Sequence, residues 1–463
     1  MKIRYLFYLA LLAFVVSCKP EVNEFTPSKG GADFTTYVAV GNSLTAGYAD
    51  GALYKSGQSY SWANILGQQF ATVGGGAFVQ PVVNSEYGVE LPVPHPEGKF
   101  VLEISVDCLG VPGLGPVVSN GVLDPWTNHI DYAVNNVGVP GAKVGHLLFP
   151  GYGNPANLTT VPPSANPYFI RFATSPDITV AAQAKAMAPT FFSLWIGNND
   201  VLGYATSGGA DEVITPEVEF TTYYNGLVQT LIAGGTKGVL ANIPGVTNTA
   251  FFTTIPYNVI VFPEDGQWMV DALNAAYGPY NTAMEQMEKP YRIVFSLDSA
   301  NAMVIMDPNM DVPPTLQFRQ MTKNELALLT LPQDSIKCED GPHWGSQTPV
   351  PNRYILTESE IANVTSATAV FNNIIKQAAD NNGLAFVDFN AIMVDISANG
   401  LIFDGITFST KFVTGNLFSL DGIHLTPQGN ALVANYFIDA INAQYGAQIP
   451  KVSVANYPPI VFP

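Results

Sequence analysis

The amino-acid sequence predicts an α/β fold with a mostly parallel sheet. Strand-like apolar segments alternate with helix-like segments along most of the 463 residues, which is typical of strands joined by crossover helices. Helix-start and helix-stop residues bound several of the helix-like segments. The composition, with 47% hydrophobic and 12% charged residues, is sufficient for one large core or two ordinary ones.

The N-terminal residues have the order of an export signal. Lys2 and Arg4 form a basic start, and an apolar run from Tyr5 to Val16 leads to a small residue and then Cys18. This run is too short to span a membrane as a helix by itself. We therefore expect residues 1–17 to be a cleaved signal peptide.

The end of this segment, VVSC, resembles the lipobox of bacterial lipoproteins. The resemblance implies that Cys18 is lipid-modified and becomes the first mature residue. We expect the protein to be exported and lipid-anchored to the outer membrane of the bacterial cell envelope, with residues 18–33 as lipidated cysteine and flexible tether. An ordinary cleaved signal with an incidental cysteine is the alternative.

Strand and helix candidates alternate along the sequence after residue 33. The sequence predicts a first strand in TTYVAVG and a helix over Ser59–Ala71, and it then predicts a second helix that runs into a buried strand over Thr190–Ile196. Further helix and strand candidates are residues 215–235, 237–245, 357–383, 384–389 and 426–446.

Three of these boundaries have specific signals. Thr357 and Glu360 form a capping box, Gly383 closes that same helix, and Pro427 suits a first helical turn.

Two long stretches rich in proline and glycine, residues 72–130 and 246–355, exceed what a minimal α/β layer needs. We interpret them as insertions into a single domain over residues 34–446, followed by a C-terminal tail over residues 447–463. Such loops form lids over a site or elaborate the surface, and the sequence leaves both possibilities open.

Two cysteines remain besides Cys18, namely Cys108 and Cys338. In an oxidising compartment they could form a disulfide, or they could stay two separate thiols. The sequence does not choose between these alternatives.

Charge and motif content exclude several function classes. The formal net charge of −18 disfavours nucleic acid as a partner. No His-x-x-x-His pair occurs, and the stretch from Asp307 lacks the glycine and the terminal acid of a calcium loop. We therefore expect no metal and no cofactor.

Ser43 stands where the first strand enters a turn of small residues, at the edge of the sheet where ligands of α/β folds bind. A serine hydroxyl becomes a nucleophile only when a base takes its proton. His424 suits that role because Asp421, three residues earlier, can orient its ring.

Four sequence blocks resemble those of the SGNH hydrolases, a family of serine esterases and lipases with a flavodoxin-like sheet. GNSLTAG resembles the GDSL block, and NNVGVPGAKVGHL, with Asn136, resembles the second block. LWIGNNDVLG resembles the third block, and DGIHLTPQGN the fifth.

Asn42 replaces the aspartate of GDSL, which bears on the geometry of the loop. The α/β-hydrolase elbow Gly-x-Ser-x-Gly fits less well, because Thr45 stands at its second glycine.

The resemblance implies a flavodoxin-like three-layer sandwich and a catalytic triad of Ser43, Asp421 and His424. It also implies an oxyanion hole formed by the N–H groups of Ser43 and Gly141 and by the side chain of Asn199.

We expect hydrolysis of carboxylic esters through an acyl-serine intermediate. The expected substrate is a small-molecule, lipid or acylated-glycan ester. The alternative is a cell-surface lipoprotein that binds glycan or lipid on the same fold without turnover.

Overall fold

The computed structural model describes residues 25–92 and 98–463. Five parallel strands form the central sheet: β1 (Tyr37–Gly41), β2 (Asn136–Gly138), β3 (Phe191–Trp195), β4 (Lys237–Ala241) and β5 (Ala385–Val387). Their order across the sheet is 2-1-3-4-5, the flavodoxin-like order. Gly41 pairs with Gly138 on one side and with Trp195 on the other, so the carboxyl ends of these strands lie level.

The helices that follow in chain order are α1 (Ser43–Ala46), α2 (Lys55–Ser59), α3 (Trp62–Ala71), α4 (Pro167–Ile170), α5 (Val180–Ala186), α6 (Asn199–Thr206), α7 (Glu217–Ile232), α8 (Ala250–Thr253), α9 (Gln267–Gln286), α10 (Asp334–Lys337), α11 (Glu358–Asn382), α12 (Phe389–Asn399) and α13 (Pro427–Tyr445). Among the described residues, no helix has the length and apolar character needed to cross a membrane.

Strand residues alternate between two hydrophobic clusters, as the period of two requires. Val38 and Val40 of β1 pack in one cluster, which helices α5, α7 and α11 cover. Tyr37 and Ala39 face the other cluster, which α3, α12 and α13 cover. The sheet therefore lies between two helical layers, which confirms the predicted three-layer α/β sandwich.

The local signals act as the sequence predicts at most boundaries. The capping box of Thr357 and Glu360 opens α11, Gly383 closes it with a φ of 61°, and Pro427 begins α13. The helix expected over Ser59–Ala71 is α3, which begins only at Trp62, and Ser59 belongs to the preceding helix α2. Ser61 divides them because its hydroxyl accepts a hydrogen bond from Asn64 N–H and so caps α3.

The two insertions form additional structure. The first contains an antiparallel hairpin of Phe100–Val106 and Pro112–Val118. The second has a hydrophobic cluster of its own, in which helix α9 packs with Val304–Met306 and neighbouring segments. Shorter strand pairs are Val89–Glu90 with Asp124–Pro125, Val304–Met306 with Phe318–Gln320, Leu326–Ala327 with Ile355–Leu356, and Leu401–Phe403 with Ile406–Phe408.

A disulfide between Cys108 and Cys338 joins the two insertions and resolves the alternatives that the sequence left open. An ion pair between Lys337 and Asp107 lies beside it, with 2.6 Å between the nitrogen and the oxygen.

Two boundary expectations are wrong in part. Ser28 and Gln448 exchange backbone hydrogen bonds, and Gly31 N–H bonds the Tyr445 carbonyl, so residues 28–33 pack on the sandwich and do not extend as a tether. The expected tail is also packed, because Ile449 and Val454 are buried in the second cluster. Residues 1–24, which include the expected signal and Cys18, lie outside the described residues.

Candidate active site

Ser43 is the first residue of α1, immediately beyond the carboxyl end of β1. Asn42 caps this short helix by accepting a hydrogen bond from Leu44 N–H, and its amide donates to the Asn198 side chain beyond β3. The strand ends approach so closely that a Cβ on Gly41 would lie 2.5 Å from the Trp195 carbonyl oxygen. Glycine at position 41 thus permits the tight turn that presents Ser43.

Ser43, His424 and Asp421 form a continuous hydrogen-bonded chain. His424 Nε2 lies 2.8 Å from Ser43 Oγ, although 381 residues separate the two in sequence. His424 Nδ1 lies 2.8 Å from Asp421 Oδ2. The three side chains are largely buried, with Ser43 only 8% exposed. The arrangement can move a proton from the serine hydroxyl to the imidazole.

Asp421 is held by several donors besides the imidazole. Its carboxylate accepts hydrogen bonds from the backbone N–H groups of Gly51, Ile423 and His424 and from the Ser419 hydroxyl. Burial by itself would raise the pKa of Asp421. The charge of His424 and these hydrogen bonds outweigh burial and lower that pKa well below its usual value. Asp421 is therefore an anion that fixes the histidine ring.

Hydrogen bonds connect the turn that contains Asp50 to the loop that contains Asp421 and His424. The Asp50 carboxylate accepts hydrogen bonds from Leu420 N–H and the Tyr54 hydroxyl, and Asp50 N–H donates to Ser419 Oγ. Asp50 has a φ of 52°, an uncommon value for a residue with a side chain. Asp50 and Ser419 have no recognisable signal in the sequence, because partners about 370 residues away leave no local pattern.

The segment from Pro140 to Ala142 lies beside Asn199. The Asn199 amide donates one hydrogen bond to the Ala142 carbonyl at 2.9 Å, and its second N–H has no acceptor among residues 25–92 and 98–463. Gly141 has a φ of 78°, which favours glycine, and a Cβ there would meet only Asn166 Nδ2, at 4.0 Å. Within the described part of the chain, the Gly141 N–H has no hydrogen-bond acceptor.

Asn166 fixes the peptide that carries this N–H. Its amide donates to the Pro140 carbonyl at 2.8 Å and to the Tyr152 hydroxyl at 3.0 Å. Its side-chain oxygen caps α4. In a trans peptide the carbonyl and the N–H point in opposite directions, so holding the Pro140 oxygen aims the Gly141 N–H away from Asn166.

The buried carboxylate of Asp200 holds the segment that follows Gly141. Its carboxylate accepts hydrogen bonds from Val144 N–H at 3.0 Å and from the Thr215 hydroxyl at 2.8 Å. Burial raises the pKa of Asp200 to about 6, and these hydrogen bonds offset only part of that rise. Asp200 thereby ties helix α6 to the segment after Gly141.

A largely apolar pocket adjoins Ser43 and His424. Asn42, Asn198, Asn199 and Thr249 contribute its polar wall. The apolar wall comes from α12, α13 and the loop before His424 and includes Met393, Ile396, Leu417, Phe418, Leu432 and Val433. The pocket therefore reaches from the hydroxyl of Ser43 into the second hydrophobic cluster.

His129, His146 and Asp307 have partners other than Ser43, Asp421 and His424. His129 contacts Asp131, His146 stacks on Tyr152, and His95 lies outside the described residues. Asp307 is paired with Arg319 at 2.8 Å, so its carboxylate already has a cationic partner. Among residues 25–92 and 98–463, the group that could hold a metal by ligand type and distance is Cys108, Asp334 and Cys338, and both its sulfurs are used in the disulfide.

The sequence pattern of the GDSL-like Lipase/Acylhydrolase family matches residues 113–437. The chain belongs to this family. The match confirms the resemblance found in the sequence and identifies the protein as a hydrolase of ester bonds. The matched segment contains Asn199, Asp421 and His424, whereas Ser43 precedes it.

A solved structure similar to the chain is the crystal structure of LAE5, an alpha/beta hydrolase enzyme from the metagenome of Lake Arreo, Spain. The two share 11% sequence identity, the comparison covers 89% of this chain and 97% of that one, and the TM-score is 0.35. No curated protein sequence matches the chain at a significant level.

Proposed function

We propose that the protein hydrolyses carboxylic esters with Ser43 as nucleophile, His424 as general base and Asp421 as the group that orients His424. Ser43 Oγ attacks the ester carbonyl carbon while His424 Nε2 takes its proton. The protonated His424 then donates that proton to the departing alkoxide, which leaves an acyl-serine. Water attacks the acyl carbon with His424 again as base, and the acid and free Ser43 are released.

The developing oxyanion requires hydrogen-bond donors that are positioned before the reaction. We assign this role to the N–H groups of Ser43 and Gly141 and to the free N–H of the Asn199 amide. Two observations support the assignment: the Gly141 N–H has no acceptor within the described part of the chain, and the Ala142 carbonyl orients the Asn199 side chain.

The hydrogen-bonded chain of Ser43, His424 and Asp421 is the observation that carries the proposal. A fluorophosphonate probe should label the wild-type protein at Ser43, because only an activated serine attacks the phosphorus. Ser43→Ala should abolish labelling, and Ser59→Ala, which removes an exposed hydroxyl, should not. Equal labelling of Ser43→Ala and wild type would remove Ser43 from the mechanism.

The alternative, a lipoprotein that binds glycan or lipid without turnover, predicts no catalysis. Hydrolysis of p-nitrophenyl acetate, butyrate and octanoate by the purified protein separates the two. We expect turnover of at least one of these esters that disappears in Ser43→Ala. No turnover of any ester, together with no labelling, would favour the binding protein.

We also propose export and lipid anchoring through Cys18, with a small-molecule, lipid or acylated-glycan ester as substrate and no nucleic acid as partner. The disulfide supports export, because disulfides persist mainly in oxidising compartments. Cys18→Ala should move the protein from the membrane fraction to the soluble fraction with its esterase activity per molecule retained. A Cys18→Ala protein that still fractionates with membranes would contradict the anchor.

A further inference from the structure

Tyr48, a residue outside the proposed triad, contacts the imidazole of His424. The centroids of the two rings lie 4.7 Å apart, and the ring planes are inclined by 49°. The backbone N–H of Tyr48 donates a hydrogen bond to the Ser43 carbonyl at 3.0 Å. Tyr48 is therefore fixed to the turn of the nucleophile while its ring lies against the base.

The hydroxyl of Tyr48 is bonded to the residue that holds Asp421. It donates a hydrogen bond to the Gly51 carbonyl, and the Gly51 N–H donates to Asp421 Oδ2 at 3.0 Å. The same Oδ2 lies 2.8 Å from His424 Nδ1. Burial raises the pKa of the Tyr48 hydroxyl, so it keeps its proton at neutral pH and remains a donor.

The turn that contains Gly51 is closed by backbone hydrogen bonds. Ala49 and Ala52 exchange two of these bonds, at 3.1 and 3.0 Å, around Asp50 and Gly51. The φ values of these two central residues, 52° and 76°, are both positive, as in a type I′ turn, for which Asp-Gly is a preferred sequence. A restraint on the Gly51 carbonyl is therefore also a restraint on the Gly51 N–H that binds Asp421.

Helix α4 supports the ring of Tyr48. The Tyr168 ring meets it nearly at a right angle, 84°, with 6.4 Å between the centroids, a favourable edge-to-face geometry. The same helix is capped by Asn166, whose amide holds the Pro140 carbonyl. One short helix thus supports both Tyr48 and the peptide of the Gly141 N–H.

The proposed reaction uses one orientation of the imidazole twice. His424 Nε2 first takes the proton of Ser43 and then gives it to the departing alkoxide. A strongly basic alkoxide leaves only when it receives this proton, whereas p-nitrophenolate is a stable anion and leaves without one. An imidazole that is held less well should therefore harm alkyl esters more than p-nitrophenyl esters.

We propose that Tyr48 is a positioning residue that holds the imidazole of His424 in line with Ser43 and Asp421. The inference rests on the proposed esterase function and adds a residue that controls its proton transfers. The ring restrains the imidazole directly, and the hydroxyl restrains Asp421 through Gly51. This role requires no contact between Tyr48 and the substrate.

The test compares ethyl butyrate with p-nitrophenyl butyrate, which has the same acyl group. Tyr48→Leu removes both the ring and the hydroxyl, and it should lower kcat/KM for p-nitrophenyl butyrate by about tenfold. The loss for ethyl butyrate should be about tenfold greater still, because only ethoxide needs the proton of His424. Tyr60→Leu, which removes a ring that contacts Tyr457 at a similar distance, should leave both values unchanged.

Tyr48→Phe keeps the ring and separates its contribution from that of the hydroxyl. It should recover kcat/KM to within about threefold of wild type, with the remaining loss again larger for ethyl butyrate. All rates are expressed per active site, counted by fluorophosphonate labelling. If Tyr48→Leu does not fold, the ratio of the two losses in Tyr48→Phe decides the question.

Equal losses for the two esters would give Tyr48 a structural role only and overturn the inference. Wild-type rates in Tyr48→Leu would overturn it as well. So would wild-type turnover of p-nitrophenyl butyrate without any turnover of ethyl butyrate, because His424 would then not protonate an alkoxide. No hydrolysis of either ester by wild type, together with no fluorophosphonate labelling, would instead contradict the esterase itself.

Discussion

At the scale of single residues, Asn42 shows how the chain departs from its family pattern without losing the site geometry. The family block has aspartate where this sequence has Asn42. The amide caps α1 through its oxygen and donates through its nitrogen to Asn198, at 3.1 Å. The two turns that carry Ser43 and Asn199 are thereby linked directly.

Two substitutions of Asn199, of which Asn199→Asp is nearly isosteric, provide a test of the oxyanion hole. Asn199→Ala removes a donor and should lower kcat by about 10²- to 10³-fold. Asn199→Asp should lower kcat further at neutral pH, because it places a negative charge beside the developing oxyanion. Steady-state kinetics on the best p-nitrophenyl ester would measure both, with folding checked by circular dichroism. Asn199→Asp as active as wild type would show that Asn199 does not face the oxyanion.

Asn166 is a positioning residue by its geometry, since it holds the Pro140 carbonyl of the peptide whose N–H belongs to Gly141. Asn166→Asp keeps the oxygen that caps α4 but loses the donor to Pro140. We expect kcat to fall about tenfold with KM little changed, because the misaligned N–H matters most in the transition state. Asn154→Asp, a matched change at another helix cap, should not alter kcat. A fall in thermal stability with kcat retained would assign Asn166 a structural role only.

At the scale of elements, the sheet and its site-bearing turns could be predicted from the sequence. Apolar runs locate the strands, and Thr357, Gly383 and Pro427 mark helix ends through local rules. Pairings over long distances could not be predicted. The bond from Asp50 to Leu420 depends on which segments meet in space, and short-range patterns contain no information about that.

The link between α6 and the Gly141 segment should depend on pH through Asp200. Because folding raises its pKa from 3.8 to about 6, the protonated carboxyl is favoured in the folded state. Its contribution to stability is complete below about pH 4 and is lost as the pH rises through about 6, a change of about 3 kcal/mol.

Asp200→Asn can keep both hydrogen bonds, with its oxygen toward Val144 N–H and its amide toward the Thr215 hydroxyl, and carries no charge. The variant should therefore gain stability relative to wild type between pH 4 and pH 7. Urea unfolding at a series of pH values would measure the difference. A constant difference across this range would show that Asp200 has no raised pKa.

At the scale of the whole molecule, the two insertions are connected to the site and to each other. In the first insertion Phe100 N–H bonds the Asp50 carbonyl, and in the second Phe251 N–H bonds the Gly422 carbonyl. The disulfide between Cys108 and Cys338 joins the two insertions. Each insertion thus contacts a turn that carries or supports site residues, and a covalent bond links the two.

This connection predicts separate effects on stability and on chemistry. The disulfide spans 230 residues, and loss of a cross-link over so long a loop should lower the free energy of unfolding by about 2–5 kcal/mol. The double variant Cys108→Ser and Cys338→Ser should therefore unfold at lower urea concentration and be cleaved faster by trypsin within residues 246–355.

Hydrolysis of p-nitrophenyl acetate per folded molecule should persist, because the bonds to Asp421 come from Gly51, Ser419 and its own loop. Lys337→Ala, which removes only the neighbouring ion pair, should change the unfolding midpoint much less. If the double variant unfolded like wild type but lost acetate hydrolysis, the disulfide would be controlling the site and not the stability of the insertions.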